Sequence, residues 1–253
     1  MADLKVHDHG GDGPPLVLVH AFPLDSDMFQ GQQALADGVR LVTLDLPGFG
    51  GSDPAMGSGS MQALASAVFQ AMDQVGLHQA AVCGVSIGGY IALEMWRRQP
   101  ERLSALLLCD TRPEEDGQDV QAARGAAIRL VRLGRWDEVM DGLIPRLLAP
   151  ASLARPELAA AVKGMAVRAT DAGIIFAQQA MASRADSVSM LPDITIPTLV
   201  LVGEEDGLTP PTVAREMAAR IPGAQIEILP GAGHLSPLEA PELFNQAVRR
   251  FLL

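Results

Sequence analysis

Six short stretches of the chain are apolar at nearly every position: 15–21 (PLVLVHA), 39–45 (VRLVTLD), 80–86 (AAVCGVS), 104–110 (SALLLCD), 198–203 (TLVLVG) and 225–229 (QIEIL). Apolar and polar residues do not alternate in them, as they would in a strand with one wet face. Continuous apolar runs suit strands of a parallel sheet covered on both sides. Most of the intervals carry apolar residues at helical spacing. One such stretch, 60–76, opens at Ser60. Another, 87–99, stops at Pro100. A third, 210–221, begins with Pro210 and Pro211, which fit a first helical turn, and a fourth, 240–253, closes the chain. Strands alternating with helices predict an α/β fold with a mostly parallel, doubly wound sheet.

The alternation fails between 112 and 190. Nothing there reads as a strand. The stretch is rich in Ala, Arg, Leu and Met, with helix-like pieces near 119–133, 135–148, 156–169 and 171–183. The pattern predicts a helical cap at 112–190, inserted between a first core part at 1–111 and a second at 191–253.

Composition narrows the partners. The formal net charge of −11 repels phosphate backbones and anionic lipid, so nucleic acid and membrane surfaces are not expected as partners. No run of about 18 apolar residues predicts a transmembrane helix. The start of the chain lacks a basic segment followed by an apolar one, so no secretory leader is expected. Cys83 and Cys109 both lie in apolar strand-like runs and read as buried free thiols, which fits a cytoplasmic location. No heptad pattern or apolar patch fixes an oligomeric state.

The sharpest local signal is Gly84-Val85-Ser86-Ile87-Gly88, between an apolar strand and a helix-like stretch. A serine held at strained backbone angles in a tight strand-to-helix turn needs tiny neighbours, and the glycines supply that room. The helix N-terminus then favours negative charge developing at the site. The alternative is a plain glycine-rich connection.

A serine hydroxyl needs a base within hydrogen-bond reach. Where a sheet carries such a turn, the chain order is serine, acid, histidine. His234, in Gly231-Ala232-Gly233-His234, is the one histidine after Ser86. His7, His9 and His78 read as solvated. The acid is expected at Asp206, in Gly203-Glu204-Glu205-Asp206-Gly207, after the strand at 198–203. Asp110, at the end of the run 104–110, is the rival, while Asp45 is expected to brace its own loop. Two backbone amides should receive the oxyanion, one from Ile87 and one from Phe22 in His20-Ala21-Phe22-Pro23. His20 is expected to shape that loop, with a catalytic role as the alternative.

Taken in order, HAFP (20–23), DLPGFGGSD (45–53), GVSIGG (84–89), LVGEEDGLTP (201–210) and GAGHLSPLEAPELF (231–244) resemble the α/β-hydrolase fold superfamily. The resemblance is to its small carboxylesterases, 3-oxoadipate enol-lactone hydrolases and cofactor-free perhydrolases. It covers nearly the whole chain outside the cap. It implies Ser86 as nucleophile, Asp206 as acid, His234 as base, and oxyanion amides at Phe22 and Ile87. It also implies no metal or organic cofactor. One position departs: Ala21 stands where the family usually has glycine, and alanine would be strained if that position had positive φ. Serine rather than aspartate in the turn argues against dehalogenase and epoxide hydrolase chemistry.

The expected reaction is hydrolysis of a small carboxylic ester or lactone through an acyl-enzyme on Ser86. Carbon–carbon bond hydrolysis or peracid formation on the same three residues is the alternative, and so is a non-catalytic ligand receptor. Phe22, Trp136 and Phe176 are expected against the substrate, and Met140, Leu143 and Met165 are further cap candidates.

Overall fold

A computed structural model describes residues 4–54 and 56–253. The six apolar runs form β2 (Pro15–Val19), β3 (Arg40–Leu44), β4 (Ala80–Val85), β5 (Leu103–Cys109), β6 (Thr198–Gly203) and β7 (Gln225–Leu229). With β1 (Val6–Asp8) they make one seven-stranded sheet in the order β1-β3-β2-β4-β5-β6-β7. All neighbours are parallel except β1 and β3, which pair antiparallel, Val6 opposite Leu44. The predicted α/β sheet is therefore the one observed.

Alternate residues of each strand feed opposite faces. Val17, Val19, Val82, Leu106 and Val200 enter the core on one side, packed under α1 (Met61–Gln74), α2 (Ile87–Arg98) and α8 (Pro211–Arg220). Leu16, Leu18, Cys83, Leu107 and Leu199 enter the other, beneath Phe244 and Val248 of α10 (Pro241–Leu252). Both faces are dry over β2 to β6, which explains their unbroken apolar runs, whereas the edge strand β7 is only partly buried, contrary to the expectation from its sequence. Cys83 and Cys109 are buried free thiols with sulfurs 3.5 Å apart.

Among the elements that escaped the pattern are an edge strand and a 3₁₀ segment. β1 has three residues, two of them polar, and lies at the edge with His9 turned to the Thr43 hydroxyl at 3.0 Å. The 3₁₀ segment Ser26–Asp37 lacks a helical 3.6-residue stripe, yet it buries Met28, Phe29 and Leu35.

Between β5 and β6 lie α3 (Gln118–Arg132), α4 (Trp136–Leu147), α5 (Pro150–Leu153), α6 (Pro156–Ala166) and α7 (Asp171–Ala182). α7 buries Ile174, Phe176, Ala177 and Ala180, whereas α3 buries only Val131. Among the described residues, no helix is long and apolar enough to cross a membrane.

Candidate active site

The strands deliver their loops to one edge of the sheet, where open α/β sheets place their sites. β4 ends at Val85 and α2 begins at Ile87, leaving Ser86 alone in the turn at φ 55°, ψ −113°. Among the described residues only Ser86 and Asp110 combine positive φ with a side chain. Such geometry costs about 1–3 kcal/mol and persists only where neighbours enforce it. The enforcement is visible here. The Ser86 amide donates to the Cys109 carbonyl at 2.9 Å, and the Thr111 hydroxyl donates to the Ser86 carbonyl at 2.8 Å. A Cβ on Gly84 would collide with the Gly88 carbonyl, and one on Gly88 with the Val19 carbonyl. The turn therefore closes only with glycine at both places.

Ser86 Oγ lies 2.9 Å from His234 Nε2, and His234 Nδ1 lies 2.8 Å from Asp206 Oδ2. The Leu208 and Thr209 amides donate to Asp206 Oδ1 at 2.8 and 2.9 Å, and the Thr209 hydroxyl donates to Oδ2 at 2.5 Å. Every lone-pair direction of the carboxylate is thus occupied. Burial opposes charge on Asp206, but His234 and the Thr209 donors outweigh it and bring its pKa down to about 2. Burial likewise opposes charge on His234. The Asp206 carboxylate outweighs it, and the imidazole pKa ends above its ordinary value.

Asp110 does not touch His234. Its carboxyl accepts from the Gly203 amide (2.9 Å), the Ser236 amide (3.2 Å) and the Ser236 hydroxyl (2.5 Å). It ties the strand before the Asp206 loop to the turn after His234. Complete burial, with the Asp206 charge nearby, raises its pKa to about 8. Burial thus opposes charge on both carboxyl groups: partners hold Asp206 ionised, whereas Asp110 keeps its proton far more tightly.

His20 is fully buried with both ring nitrogens engaged. Nδ1 faces the Ala21 carbonyl at 3.0 Å, and Nε2 accepts from the Leu46 amide at 2.8 Å. Burial lowers its pKa, so it is a neutral spacer between two loops. Asp45 braces its loop, accepting from the Ser26 and Gly51 amides, both at 2.8 Å. Ala21 has no positive φ, so its departure from glycine creates no backbone strain. Among the described residues, neither the Phe22 nor the Ile87 amide has a protein acceptor. For Ile87 this follows from its place in the first helical turn.

A cavity of about 290 Å³ opens over Ser86 and His234. Phe22 and Leu143 line it, as expected. Trp136 and Phe176 do not, which corrects the sequence-based expectation. The Trp136 ring packs edge-on against Phe22, with its indole N–H donating to the Ala166 carbonyl at 3.3 Å. Phe176 is 3% exposed within the core on the inner face of α7. Met140 and Met165 are core residues as well. Sequence reasoning missed Tyr90, Arg112, Asp116, Arg124, Arg146 and Gln178 in the wall. Tyr90 lies one helical turn beyond Ser86, and that spacing could have found it. The cap arginines carried no such signal. Among the described residues, no group of three or more His, Cys, Asp or Glu side chains could hold a metal ion.

Residues 14–241 match the family described as the alpha/beta hydrolase fold. The chain is 30% identical over 264 residues to 3-oxoadipate enol-lactonase 1 of Acinetobacter baylyi, covering 98% of this chain and 92% of that protein. An esterase structure from Thermogutta terrifontis superposes with a TM-score of 0.96 at 37% identity, over 99% of this chain and 93% of that one. Other curated relatives are longer. The chain matches 66% of a dihydrolipoyllysine-residue acetyltransferase component of the acetoin cleaving system from Pseudomonas putida, at 30% identity over 98% of this chain. It spans 12% of polyketide synthase ThaQ from Burkholderia thailandensis, at 29% identity over 96% of this chain.

Proposed function

Since the chain belongs to the α/β-hydrolase fold family, we propose that it is a serine hydrolase cleaving a small carboxylic ester or lactone through an acyl-enzyme on Ser86. The observation that carries this reading is the continuous hydrogen-bonded row from Ser86 Oγ through His234 to Asp206. Each member then takes one task. His234 Nε2 takes the Ser86 proton as Oγ attacks the carbonyl carbon. Asp206 holds the proton on Nδ1 and stabilises the imidazolium. The tetrahedral oxyanion takes hydrogen bonds from the Phe22 and Ile87 amides. The C–O bond to the leaving alcohol breaks and the alcohol oxygen takes the proton from His234. Water then attacks the acyl-enzyme by the same steps, with the Ser86 oxygen leaving.

The names of the relatives favour this class, an enol-lactonase and an esterase. A cavity near 290 Å³ sits at the small end of the usual range for ligand pockets, which favours a small substrate. A lactone differs from an ester only in that its leaving alcohol stays tethered to the acyl group.

The test is hydrolysis of p-nitrophenyl acetate, butyrate and octanoate by the wild type and by Ser86→Ala. The expected loss in kcat is about 10⁴-fold or more, with unchanged circular dichroism. Equal rates in the two proteins would sink the reading and favour a non-catalytic receptor.

A further inference from the structure

The reaction cavity inverts the charge of the molecule. The chain carries 30 acidic against 19 basic side chains. Yet the cavity wall holds Arg112, Arg124 and Arg146 against a single carboxylate outside the Ser86–His234–Asp206 row, that of Asp116. The single carboxylate is already spoken for. Asp116 accepts from both Arg124 and Arg184, and Arg124 also donates to Gln178 Oε1 at 3.1 Å. Arg184 is buried and lies over the Tyr90 ring, 4.1 Å from its centroid. Arg124 and Arg184 are thus both ion-paired within the protein, through one shared carboxylate.

Arg112 and Arg146 are not. Among the described residues, neither has a carboxylate within ion-pair distance. Arg112, half-buried, gives one Nη–H to the Leu208 carbonyl at 2.6 Å and keeps the rest of its fork. Arg146 is exposed near the end of α4 and lines both this cavity and the recess beside it, each time together with Leu208. One guanidinium comes from the loop after β5 and the other from the cap. Arg112 holds the Leu208 carbonyl, and Arg146 shares both recesses with that residue of the Asp206 loop.

We infer that the preferred substrate carries a carboxylate besides its scissile carbonyl, received by Arg112 and Arg146 on the Leu208 side of the cavity. The inference rests on the proposed acyl transfer at Ser86. A guanidinium fork matches a carboxylate in two parallel charge-assisted hydrogen bonds, stronger than neutral ones. An anion entering an acidic protein would otherwise meet net repulsion and lose its hydration uncompensated. The unpaired pair of guanidiniums removes both costs at the point where the substrate sits.

The test uses esters matched in size and differing in charge. 4-Nitrophenyl butyrate is compared with mono-4-nitrophenyl succinate, which puts the anion on the acyl side. Phenyl acetate is compared with 4-acetoxybenzoate, which puts it on the leaving side. In at least one pair the charged ester should be favoured about tenfold or more in kcat/KM, the scale of one charge-assisted contact. In Arg146→Gln that charged-to-uncharged ratio should fall by a similar factor, and further when Arg112→Gln is added. Because Arg146 is exposed, its single variant carries the test should the double variant not fold. Equal or better turnover of the uncharged ester in both pairs overturns the inference, and so does a ratio that the variant leaves unmoved. Ser86→Ala run beside them separates the two levels. Serine-dependent turnover without a charge preference sinks only the carboxylate, whereas turnover independent of Ser86 sinks the acyl-transfer reading beneath it.

Discussion

The sheet edge and the cap meet over one cavity, but they are built on different terms. At the edge, Ser86 and Asp206 sit on short loops after the fully buried β4 and β6, His234 follows the partly exposed β7, and backbone amides and glycine contacts hold the three loops. In the cap, α3 buries a single residue, and the walls it helps to build present charged and polar groups. The edge spends its interactions on fixing three atoms in a row. The cap spends its own on a wall whose chemistry can change without disturbing that row. On the proposed function, bond-making belongs to the first region and much of the choice of substrate to the second.

The largest expected effect tests the edge. Asp206→Asn should lower kcat about 10⁴-fold, because an asparagine can no longer hold the proton on Nδ1 or stabilise the imidazolium. Asp110→Asn should cost less than about tenfold, since Asp110 makes no hydrogen bond to His234 and instead accepts from Gly203 and Ser236. The reverse ranking would move the acid to the neighbouring strand. The pH profile adds a second readout. His234 must be neutral to accept the Ser86 proton, and its pKa is raised, so kcat/KM of the wild type should fall on the acid side with a midpoint above 6.5. In Asp206→Asn the raising charge is gone, and the midpoint of the residual activity should move down. Stability reads Asp110 separately. Folded Asp110 keeps its proton up to about pH 8, whereas the unfolded chain releases it near 3.8. The wild type should therefore lose stability relative to Asp110→Asn as the pH rises from 4 to 8 in urea unfolding.

The next effect tests how the cap is fastened. Asp116 joins Arg124 of α3 to Arg184 beyond α7, and the side chains of Asp116 and Arg184 are about 5% exposed. Asp116→Asn leaves Arg184 buried without its counter-charge, which should cost about 3 kcal/mol. For a chain of this size that is a drop of roughly 6–12 °C in thermal midpoint. Labelling of Ser86 by a fluorophosphonate should survive below the new midpoint. An unchanged midpoint would mean that the cap is held by packing alone. Loss of labelling in the folded variant would mean that the edge depends on the cap.

The same contrast explains what could be read in advance. Strands buried on both faces leave continuous apolar runs, so β2 through β6 were legible, and the half-buried β7 left a shorter trace. A serine at φ 55° demands Gly84 and Gly88, and a carboxylate at Asp206 sits in a glycine-bounded loop after its strand, so both left a local trace. β1 left none, because three edge residues with two polar ones have no period to detect. In the cap, helix existence was legible and helix orientation was not. Trp136 and Phe176 looked like pocket residues because they are large and apolar, which is equally the signature of core. Arg112 and Arg146 carried no signal, since a charge on an amphipathic helix or loop is normally solvated. Which face of a cap helix meets the cavity depends on how several helices pack together, and no single stretch of sequence encodes that.

The smallest expected effect sharpens the edge itself, at a position where the resemblance leads one to expect glycine. Ala21 replaces a glycine beside the candidate oxyanion amide of Phe22, and its backbone avoids the left-handed region. Its side chain is fully buried, its amide points at Met28 Sδ at 3.3 Å, and its carbonyl accepts from the Leu24 amide at 2.8 Å. The loop is therefore fixed by contacts that alanine fits. Ala21→Gly would remove a buried methyl and free the unfolded backbone, a loss of about 1–2 kcal/mol in stability. Turnover of p-nitrophenyl butyrate should stay within about threefold, because neither the Phe22 amide nor the Ile87 amide changes its support. A rise of tenfold or more in kcat would overturn this reading. It would mean that the methyl holds the loop away from its productive shape, and that the edge, unlike the rest of its construction, is still open to improvement at Phe22.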